Sequence, residues 1–388
     1  TFQRADGTQR WIYSKQPYGY EIYAADFDAG GRLSGFRQML TENEIKELVS
    51  DYGSRVNEGR TIKQIIGDNE IAKLSGATVL EGKVSDSVFS DSLKTKDGVP
   101  IRLMFRGNRI STHDVNRGAI PFKDQVLAQN HDHMLDLVKG TLGSSQFEVE
   151  GLLPSSTVIP AENLNLLMVE NVMRMYMAES STSTSLFQHW LKAKEEGLST
   201  FGYAGHEIDV NSVSPNGKLP YLMDTPSTKE KVDRTIDPAY LIENGVCTSG
   251  QYQHLRNASI MAFGIVSQYL REKGMVLVDT KTEHGVNAAN QIVAADELYT
   301  MDSSRFWKLT DDGSVMERDG KPVSFSKEFA RGMVKDADMQ FSTDQSNQIA
   351  VRYIIGLQNL TGRSFEPDLR PRDQRIIEST NMILDALT

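Results

Sequence analysis

The stretch between residues 275 and 285 constrains the fold more than any other part of the chain. It opens with an apolar run, after which Asp279, Lys281 and Glu283 alternate with uncharged residues. Successive side chains on an extended strand point to opposite faces, so the three charges share one face. That face is too charged to be core. The pattern therefore predicts a strand that starts buried and ends at a surface or a cleft.

A helix is predicted directly before this strand, from about Ser249 to Lys273. Gly274 provides a stop at its end. Its apolar positions mark one broad face, formed by Tyr252, Leu255, Ala262, Phe263, Val266, Tyr269 and Leu270. We interpret this helix as scaffold for the charged strand.

The residues after the strand predict its hairpin partner. The apolar run at 291–298 can return as a second arm through the Asn- and Ala-rich stretch at 287–290. If that hairpin is centred on Ala289 and Asn290, Glu283 lies directly opposite Asp296.

The predicted pairing of Glu283 with Asp296 suggests a metal site. Opposed carboxylates with Cβ atoms roughly 5 Å apart repel each other unless a cation lies between them. Oxygen-only ligands together with a phosphate suit Mg²⁺. The alternative is an ordinary solvated strand face, in which Lys281 only pairs with the neighbouring acids.

Composition describes an ordinary globular protein with an acidic balance. The 388 residues are 39% hydrophobic and 24% charged, with a formal net charge of −10. A prior of about 150 residues per domain allows two or three domains. An acidic chain without a long basic run is a poor nucleic-acid binder, so we expect no nucleic-acid partner.

Cysteine usage and hydropathy bear on location. The single Cys247 excludes an intramolecular disulfide and fits a reducing compartment, so we expect a cytoplasmic protein. The sequence shows neither a signal-peptide pattern nor an apolar run of about 18 residues, so we expect no membrane span.

The charged strand and the residues after it resemble the signature region of the SAICAR synthetase (phosphoribosylaminoimidazole-succinocarboxamide synthase) family. The order is D-x-K-x-E-x-G at 279–285, D-E at 296–297 and D-x-S-R-x-W at 302–307. This ordered set is long and specific. The resemblance implies that Lys281, Glu283 and Asp296 are catalytic and that Glu283 and Asp296 are Mg²⁺ ligands.

Further segments extend the resemblance over roughly residues 78–362. In chain order they are Gly82-Lys83, RISTHD at 109–114, IPFK at 120–123, LMVENVMR at 167–174, TPSTK at 225–229, Asp237-Pro238 and a closing helix at 353–362. By the resemblance Gly82 and Lys83 form a hairpin that covers ATP. The implied substrate contacts are Ser111, Asp114, Lys123, Glu170, Arg174, Ser180, Lys229, Asp237, Asp302, Ser304 and Arg305. Strand alternation also predicts that Glu170 and Arg174 share a face.

At several positions the chain departs from the family pattern. Phe122 and Asp124 flank Lys123 where the family has glycines, and Thr282 and His284 stand where apolar or aromatic residues are usual. Further departures are Ser85, Ala128, Met168 and Glu179. Several of them lie in segments that the resemblance assigns to ligands, so they bear on the substrate more than on the fold.

The resemblance implies an α+β fold with two lobes. A small, largely antiparallel amino-terminal lobe covers ATP, a larger mixed α/β lobe carries the Mg²⁺ and substrate contacts, and the ATP cleft lies between them. We therefore expect an extension at 1–75, the small lobe at 76–160 and the larger lobe with carboxy-terminal helices at 161–388. A packing arm, a contact in a homo-oligomer and a regulatory piece are the alternatives for the extension.

The implied activity is ATP-dependent amide formation in purine biosynthesis. The acid is CAIR, an imidazole ribotide, the amine is L-aspartate, and the products are SAICAR, ADP and phosphate. One alternative is a related ligase with a changed acid or amine. Another is a nucleotide-binding homologue without catalysis.

Two other features have plainer explanations. His131 and His133 are two residues apart in a predicted helix at 124–138, so they do not share a face and cannot easily chelate one ion. His131 falls with core positions of that helix. The Ser/Thr run at 180–185 is either a phosphate cradle or a loop, and its composition favours the loop.

Overall fold

The computed structural model describes residues 39–82, 84–112, 115–229 and 234–388, together with the backbone of four short strands in the first 37 residues. These strands are β1 (Phe2–Gln3), β2 (Gln9–Tyr13), β3 (Tyr23–Phe27) and β4 (Leu33–Arg37), and they form an antiparallel sheet in chain order. By its internal contacts the chain divides into two compact units. The first comprises residues 1–132, 146–163 and 328–388, and the second comprises residues 133–145 and 164–327.

The first unit contains a second antiparallel sheet and most of the helices. The strands of this sheet are β5 (Thr78–Glu81), β6 (Ser85–Lys94), β7 (Pro100–Arg106) and β10 (Val158–Glu162), in the order β10–β7–β6–β5. A separate hairpin pairs β8 (Arg109–Thr112) with β9 (Val115–Ala119). The helices are α1 (Glu42–Asn57), α2 (Ile62–Gly67), the start of α3 (Lys123–Leu142), α7 (Glu328–Gly332), α8 (Thr343–Thr361) and α9 (Arg372–Leu387).

One apolar core holds the sheet of the first unit to its helices. It joins Val88 and Leu103 of the sheet to Ile65 of α2 and Ile383 of α9. Residues 328–388, which the sequence analysis places with 161–327, cluster here instead, because α8 and α9 contact α1 and α9 also contacts β10.

Local capping sets the ends of these helices. Thr41 and Glu44 form a capping box at the start of α1, in which each side chain accepts a hydrogen bond from the other residue's backbone amide. The predicted closing helix is also confirmed: α8 ends at Thr361 and is capped by Gly362, whose φ of 70° is a left-handed conformation that glycine adopts without strain.

The second unit is built on a six-stranded sheet. Its strands are β11 (Asn165–Tyr176), β14 (Lys218–Asp224), β15 (Ser227–Thr228), β16 (Met275–Val286), β17 (Ile292–Ala294) and β18 (Ser304–Lys308). The main path is β14–β11–β16–β17, with β15 beside β11 and β18 beside β16. Two further hairpins pair β12 (Thr200–Tyr203) with β13 (His206–Asp209), and β19 (Glu317–Arg318) with β20 (Lys321–Pro322). The helices are α4 (Leu186–Glu195), α5 (Pro238–Glu243), α6 (Ser249–Arg271) and the end of α3.

The predicted scaffold helix and charged strand are both present in this unit. Helix α6 packs on β16 and β11, and the chain leaves it through Gly274 with a φ of 67°. The apolar start of β16 is buried, as predicted. Within the described ranges every helix is too short or too polar to cross a lipid bilayer.

Candidate active site

Strands β11 and β16 bring five charged side chains onto one face of the sheet. The Cα pairs are Glu170 with Glu283, Val172 with Lys281, and Arg174 with Asp279. Residues two apart on a strand share a face, so the charges of both strands lie together around Val172. The predicted common face of Asp279, Lys281 and Glu283 is confirmed, as is that of Glu170 and Arg174.

At one end of this face two arginines share one carboxylate. Arg174 Nη1 donates to Asp279 Oδ2 at 3.1 Å, while Arg305 donates from Nε at 2.9 Å and from Nη2 at 2.5 Å. The arginine side chains are 18% and 19% exposed and that of Asp279 is 8% exposed. The trio keeps a net positive charge on two forked donors that reach solvent, so it can bind an anion such as a phosphate or a carboxylate.

Asp279 and Thr225 are site residues to which the sequence analysis gives no role. Arg174 Nε donates to Thr225 Oγ1 at 2.9 Å, so both sides of its guanidinium are fixed. The signal for Asp279 is its place as the first charge of the alternating strand, two residues before Lys281. Thr225 had no signal of its own beyond its place in the TPSTK segment.

Lys281 and two glutamates form the other end of the face. Lys281 Nζ lies 2.5 Å from Glu170 Oε1 and 3.8 Å from Glu283 Oε1. Burial lowers the pKa of Lys281, but the surrounding carboxylates, Glu170 foremost and then Glu283, together outweigh burial, so the pKa lies above its ordinary value. The lysine therefore stays charged between two acids.

The hairpin that follows β16 differs by one residue from its predicted register. His284 pairs with Ala294 and Val286 with Ile292, so Glu283 lies opposite Ala295 and not Asp296. The reason is the turn: Asn287 N donates to Gln291 O, and Asn290 adopts a left-handed φ of 60°, which closes a loop with an odd number of residues.

Asp296 nevertheless lies close enough to act on Glu283. Burial and then the Asp296 carboxylate raise the pKa of Glu283, although the Lys229 ammonium, which donates to Glu283, opposes them. Two carboxylates that repel each other are the oxygen donors that Mg²⁺ prefers. In the described parts of the chain no group of three or more His, Cys, Asp or Glu side chains is arranged around a metal position. Mg²⁺ is commonly held by one or two carboxylates together with phosphate oxygens, so this pair fits it.

Residues 225–229 line the charged face with alternate side chains. We call these residues the 225–229 segment. Its contacts are Thr225 with Arg174, Ser227 with Glu170, and Lys229 with Glu283. The pairing of β15 with β11 sets this alternation, because Ser227 lies opposite Glu170. One short segment therefore contacts both ends of the face.

Gly285, the last residue of the strand motif, has a packing role. A Cβ atom at this position would lie 2.7 Å from Leu164 Cβ and 3.0 Å from Asn165 O. A side chain would therefore push β16 away from the start of β11. The glycine of D-x-K-x-E-x-G keeps the two charged strands together.

Comparison with known proteins identifies the family. A family model described as SAICAR synthetase matches residues 79–348, which is more than half of the chain. This chain belongs to the SAICAR synthetase family. It is 29% identical over 273 residues to the phosphoribosylaminoimidazole-succinocarboxamide synthase of Legionella pneumophila, covering 68% of this chain and 84% of that one. It is 28% identical over 295 residues to the chloroplastic enzyme of that name from Arabidopsis thaliana, covering 72% and 68%.

Solved structures confirm the predicted α+β fold class. A SAICAR synthase from Saccharomyces cerevisiae in complex with SAICAR superposes with a TM-score of 0.61 at 21% identity, covering 76% of this chain and 98% of that one. A SAICAR synthetase in complex with ADP superposes with a TM-score of 0.53 at 19% identity, covering 75% and 100%.

Several residues that the SAICAR synthetase resemblance names lie outside the charged face. Ser304 hydrogen-bonds to Thr280 at 2.8 Å on the opposite side of β16 from Arg305. Asp237 caps α5 by accepting from Ala239 N at 2.7 Å. Ser180 lies in the loop before α4, where its Oγ accepts from Thr182 N at 3.2 Å. Asp302 lies in the turn before β18. Their roles as substrate contacts stay predictions.

Other residues that the resemblance names belong to the first unit. Gly82 is required at its hairpin, because a Cβ would lie 2.2 Å from Ser85 O. Arg109 Nη2 donates to Gly82 O at 2.9 Å and thus fixes the hairpin. Ser111 is half-buried on β8. Lys83 and Asp114 lie outside the described residues, so their predicted roles stay predictions.

Lys123 differs from its expected placement beside an anionic ligand. Its side chain is fully buried at the start of α3, and its ammonium lies 5.7 Å from the ring centroid of Tyr353. A contact with an external ligand is not supported by this position. The lysine packs inside the first unit.

The two departures beside Lys123 have structural roles. Asp124 Oδ2 accepts from Arg375 Nη2 at 2.8 Å, and the side chains are 2% and 0% exposed. Phe122 has a φ of 61°, a left-handed conformation that costs a non-glycine residue about 1–2 kcal/mol, which explains why the family has glycine there. Its fully buried ring meets Phe365 edge-on at 5.5 Å, and this packing offsets the strain.

Proposed function

We propose that this protein is an ATP-dependent ligase that joins the carboxylate of CAIR to L-aspartate and yields SAICAR, ADP and phosphate in purine biosynthesis. The observation that carries the proposal is the charged face of β11 and β16, where an anion-binding arginine pair adjoins a carboxylate pair suited to Mg²⁺. Membership of the SAICAR synthetase family supports it.

The chemistry explains why both parts of the face are needed. A carboxylate is a poor acyl donor because oxide is a poor leaving group. Transfer of the γ-phosphoryl group of ATP to the acid gives an acyl phosphate, and attack by the amine then displaces phosphate. Positioning and charge neutralisation dominate such phosphoryl transfer.

We assign the roles by the position of each residue. Arg174 and Arg305 hold an anionic group of the ribotide, while Asp279 and Thr225 orient them. Glu283 and Asp296 would hold Mg²⁺, which when bound neutralises phosphate charge. Lys281, charged and fixed by Glu170, supplies positive charge beside the reacting carboxylate. We assign Gly82 to ATP binding, and the same role for Lys83, which lies outside the described residues, stays a prediction of the family resemblance.

Two observations bear on the alternatives. The departures near Lys123 first suggested a changed substrate, but Asp124 is neutralised by Arg375 inside the first unit and so adds no charge to a ligand site. The three alternating charges of β16 are all present, and each has an ion-pair partner that fixes its position. This arrangement favours catalysis over simple nucleotide binding. A cytoplasmic location remains part of the proposal.

The decisive experiment measures ADP release from MgATP with CAIR, with and without L-aspartate, against a panel of other acids and amines. We expect rapid release only when both CAIR and aspartate are present. No turnover of CAIR with aspartate, or faster turnover of another acid, would overturn the proposal.

A further inference from the structure

Asp224 is a buried acid directly before the 225–229 segment. It is 4% exposed. Its Oδ2 accepts from Tyr252 Oη at 2.6 Å and from Arg256 Nε at 2.9 Å, both on α6. His206 of β13 lies on its other side, with Nε2 3.5 Å from Asp224 Oδ1 and 2.8 Å from the Asp224 carbonyl oxygen. One residue thus ties β14 to α6 and to the β12–β13 hairpin.

The electrostatics keep this acid ionised. Burial opposes ionisation, but donation from His206 and Tyr252 and the charge of Arg256 hold the pKa of Asp224 well below its usual range. The partners respond accordingly: the hydrogen bond to Asp224 raises the pKa of His206, and burial followed by donation to Asp224 raises that of Tyr252.

The backbone connects Asp224 directly to the contacts of Arg174. Asp224 pairs with Met173, and Thr225 N donates to Val172 O at 2.8 Å. The next side chain after Asp224 is that of Thr225, which accepts from Arg174 Nε. A shift of Asp224 therefore moves the one hydroxyl that fixes this side of the Arg174 guanidinium.

We propose that Asp224 is a positioning residue for the acid substrate, acting through Thr225 on Arg174. This inference rests on the proposed function. A buried ion pair is often no more stabilising than apolar packing of the same volume, so stability alone does not account for a carboxylate here. The carboxylate instead fixes a position. Three donors, two on α6 and one on β13, hold Asp224 in one place and so define where the 225–229 segment starts.

The test replaces Asp224 with Asn, which keeps the shape and removes the charge. The Michaelis constant for CAIR should rise roughly tenfold and that for ATP should change less than about twofold, since misplaced positioning groups cost activity by such factors. Asp209→Asn is the matched control, because Asp209 is an exposed acid of β13 that caps only Asn211. It should leave both constants unchanged.

A second readout does not depend on turnover. The Nε proton of Arg174, identified by its loss in Arg174→Lys, should exchange with solvent about tenfold faster in Asp224→Asn than in the wild type. Tyr252→Phe keeps the carboxylate and should give a smaller effect in the same direction, which covers the case in which Asp224→Asn fails to fold.

The outcomes separate this inference from the proposed function. Unchanged exchange at Arg174 in both variants, or equal rises in the constants for CAIR and ATP, would overturn the positioning role. Faster exchange at Arg174 in a protein that does not turn over CAIR would leave the positioning role standing and overturn the proposed function.

Discussion

The carboxylate–guanidinium pair at Asp124 in the first unit and the carboxylate–guanidinium cluster at Asp279 in the second differ in how open they are. In the first unit Asp124 and Arg375 form a one-to-one pair with 2% and 0% of their side chains exposed. In the second unit Asp279 serves two arginines, whose side chains remain 18% and 19% exposed. Both clusters bind a carboxylate to guanidinium groups, but they differ in the number of arginines per carboxylate and in access to solvent.

The difference separates structural from functional charge. A sealed neutral pair has no net charge to offer and no path for a ligand, so its role is confined to holding α3 to α9. The open trio has an excess guanidinium and keeps contact with water, so a ligand anion can join it without dismantling it. Three predictions test this distinction, from the largest expected effect to the smallest, and a fourth with a smaller effect concerns the pH dependence of His206.

Removing either carboxylate of the pair proposed to hold Mg²⁺ should abolish activity and spare the fold. We expect Glu283→Gln and Asp296→Asn each to lower kcat by about 10³-fold or more, because charge stabilisation at a phosphoryl-transfer site is lost. The melting temperature should stay near that of the wild type. ADP release at limiting Mg²⁺ and calorimetric melting measure the two effects.

The control for these variants is Glu317→Gln, at an exposed acid of β19. It should change neither quantity. Unchanged ADP release in both site variants would remove the metal assignment.

Removing the carboxylate of the sealed pair should have the opposite effect. Asp124→Asn leaves Arg375 buried without its counter-charge, so we expect the free energy of unfolding to fall by about 3–5 kcal/mol. The folded fraction should keep the Michaelis constant of the wild type for CAIR. Urea unfolding followed by circular dichroism measures the loss.

The control for Asp124→Asn is Asp97→Asn, in an exposed turn of the first unit. It should leave the free energy of unfolding nearly unchanged. A stable Asp124→Asn with a raised Michaelis constant for CAIR would place Asp124 among the ligand contacts instead.

Within the open trio, the forked geometry should matter as well as the charge. Arg174→Lys keeps one positive charge but cannot donate to Asp279, Thr225 and a ligand together, so we expect affinity for CAIR to fall about 10- to 100-fold. ATP affinity should change little. Titration calorimetry with each ligand decides the matter, and equal losses for both would place Arg174 elsewhere.

A pH series on His206 should give the smallest effect. Its pKa is raised mainly by the hydrogen bond to Asp224, while burial and the nearby Arg256 oppose the shift. A raised pKa stabilises the fold fully below the unfolded value of about 6.5, and the stabilisation is lost as pH rises through the folded value.

The melting temperature of His206→Gln should therefore lie about 1–3 °C below that of the wild type at pH 5.5, and the gap should close by pH 9. A gap that is constant with pH would show that the charge of His206 contributes nothing.

The sequence predicted the charged face well because its cause is local. A strand alternates its side chains whatever surrounds it, so the common face of Asp279, Lys281 and Glu283 follows from spacing alone. The start of α6 at Ser249 and its stop at Gly274 follow from local chemistry in the same way. The hairpin register was missed by one residue because turn geometry, not composition, decides loop length.

Partners distant in the chain could not be predicted. Asp124 and Arg375 are 251 positions apart, and Asp224 and Tyr252 come from a strand and a helix whose packing no local pattern reveals. Whether Asp124 faces a ligand therefore stayed open at the level of the sequence, and the structure shows that Arg375 of α9 binds its carboxylate. Asp279 received no role because a carboxylate between two arginines is recognised only once three strands are aligned.

The contacts of the 225–229 segment have a consequence for mutational studies. Thr225, Ser227 and Lys229 project from one extended stretch onto groups proposed for the acid substrate and for the metal, so a change at one of them moves the others. Substitutions within the segment should then be non-additive, with coupling energies of about 0.5–3 kcal/mol in double-mutant cycles. Affinity for the ribotide and affinity for Mg²⁺ could not be adjusted separately by replacing residues here.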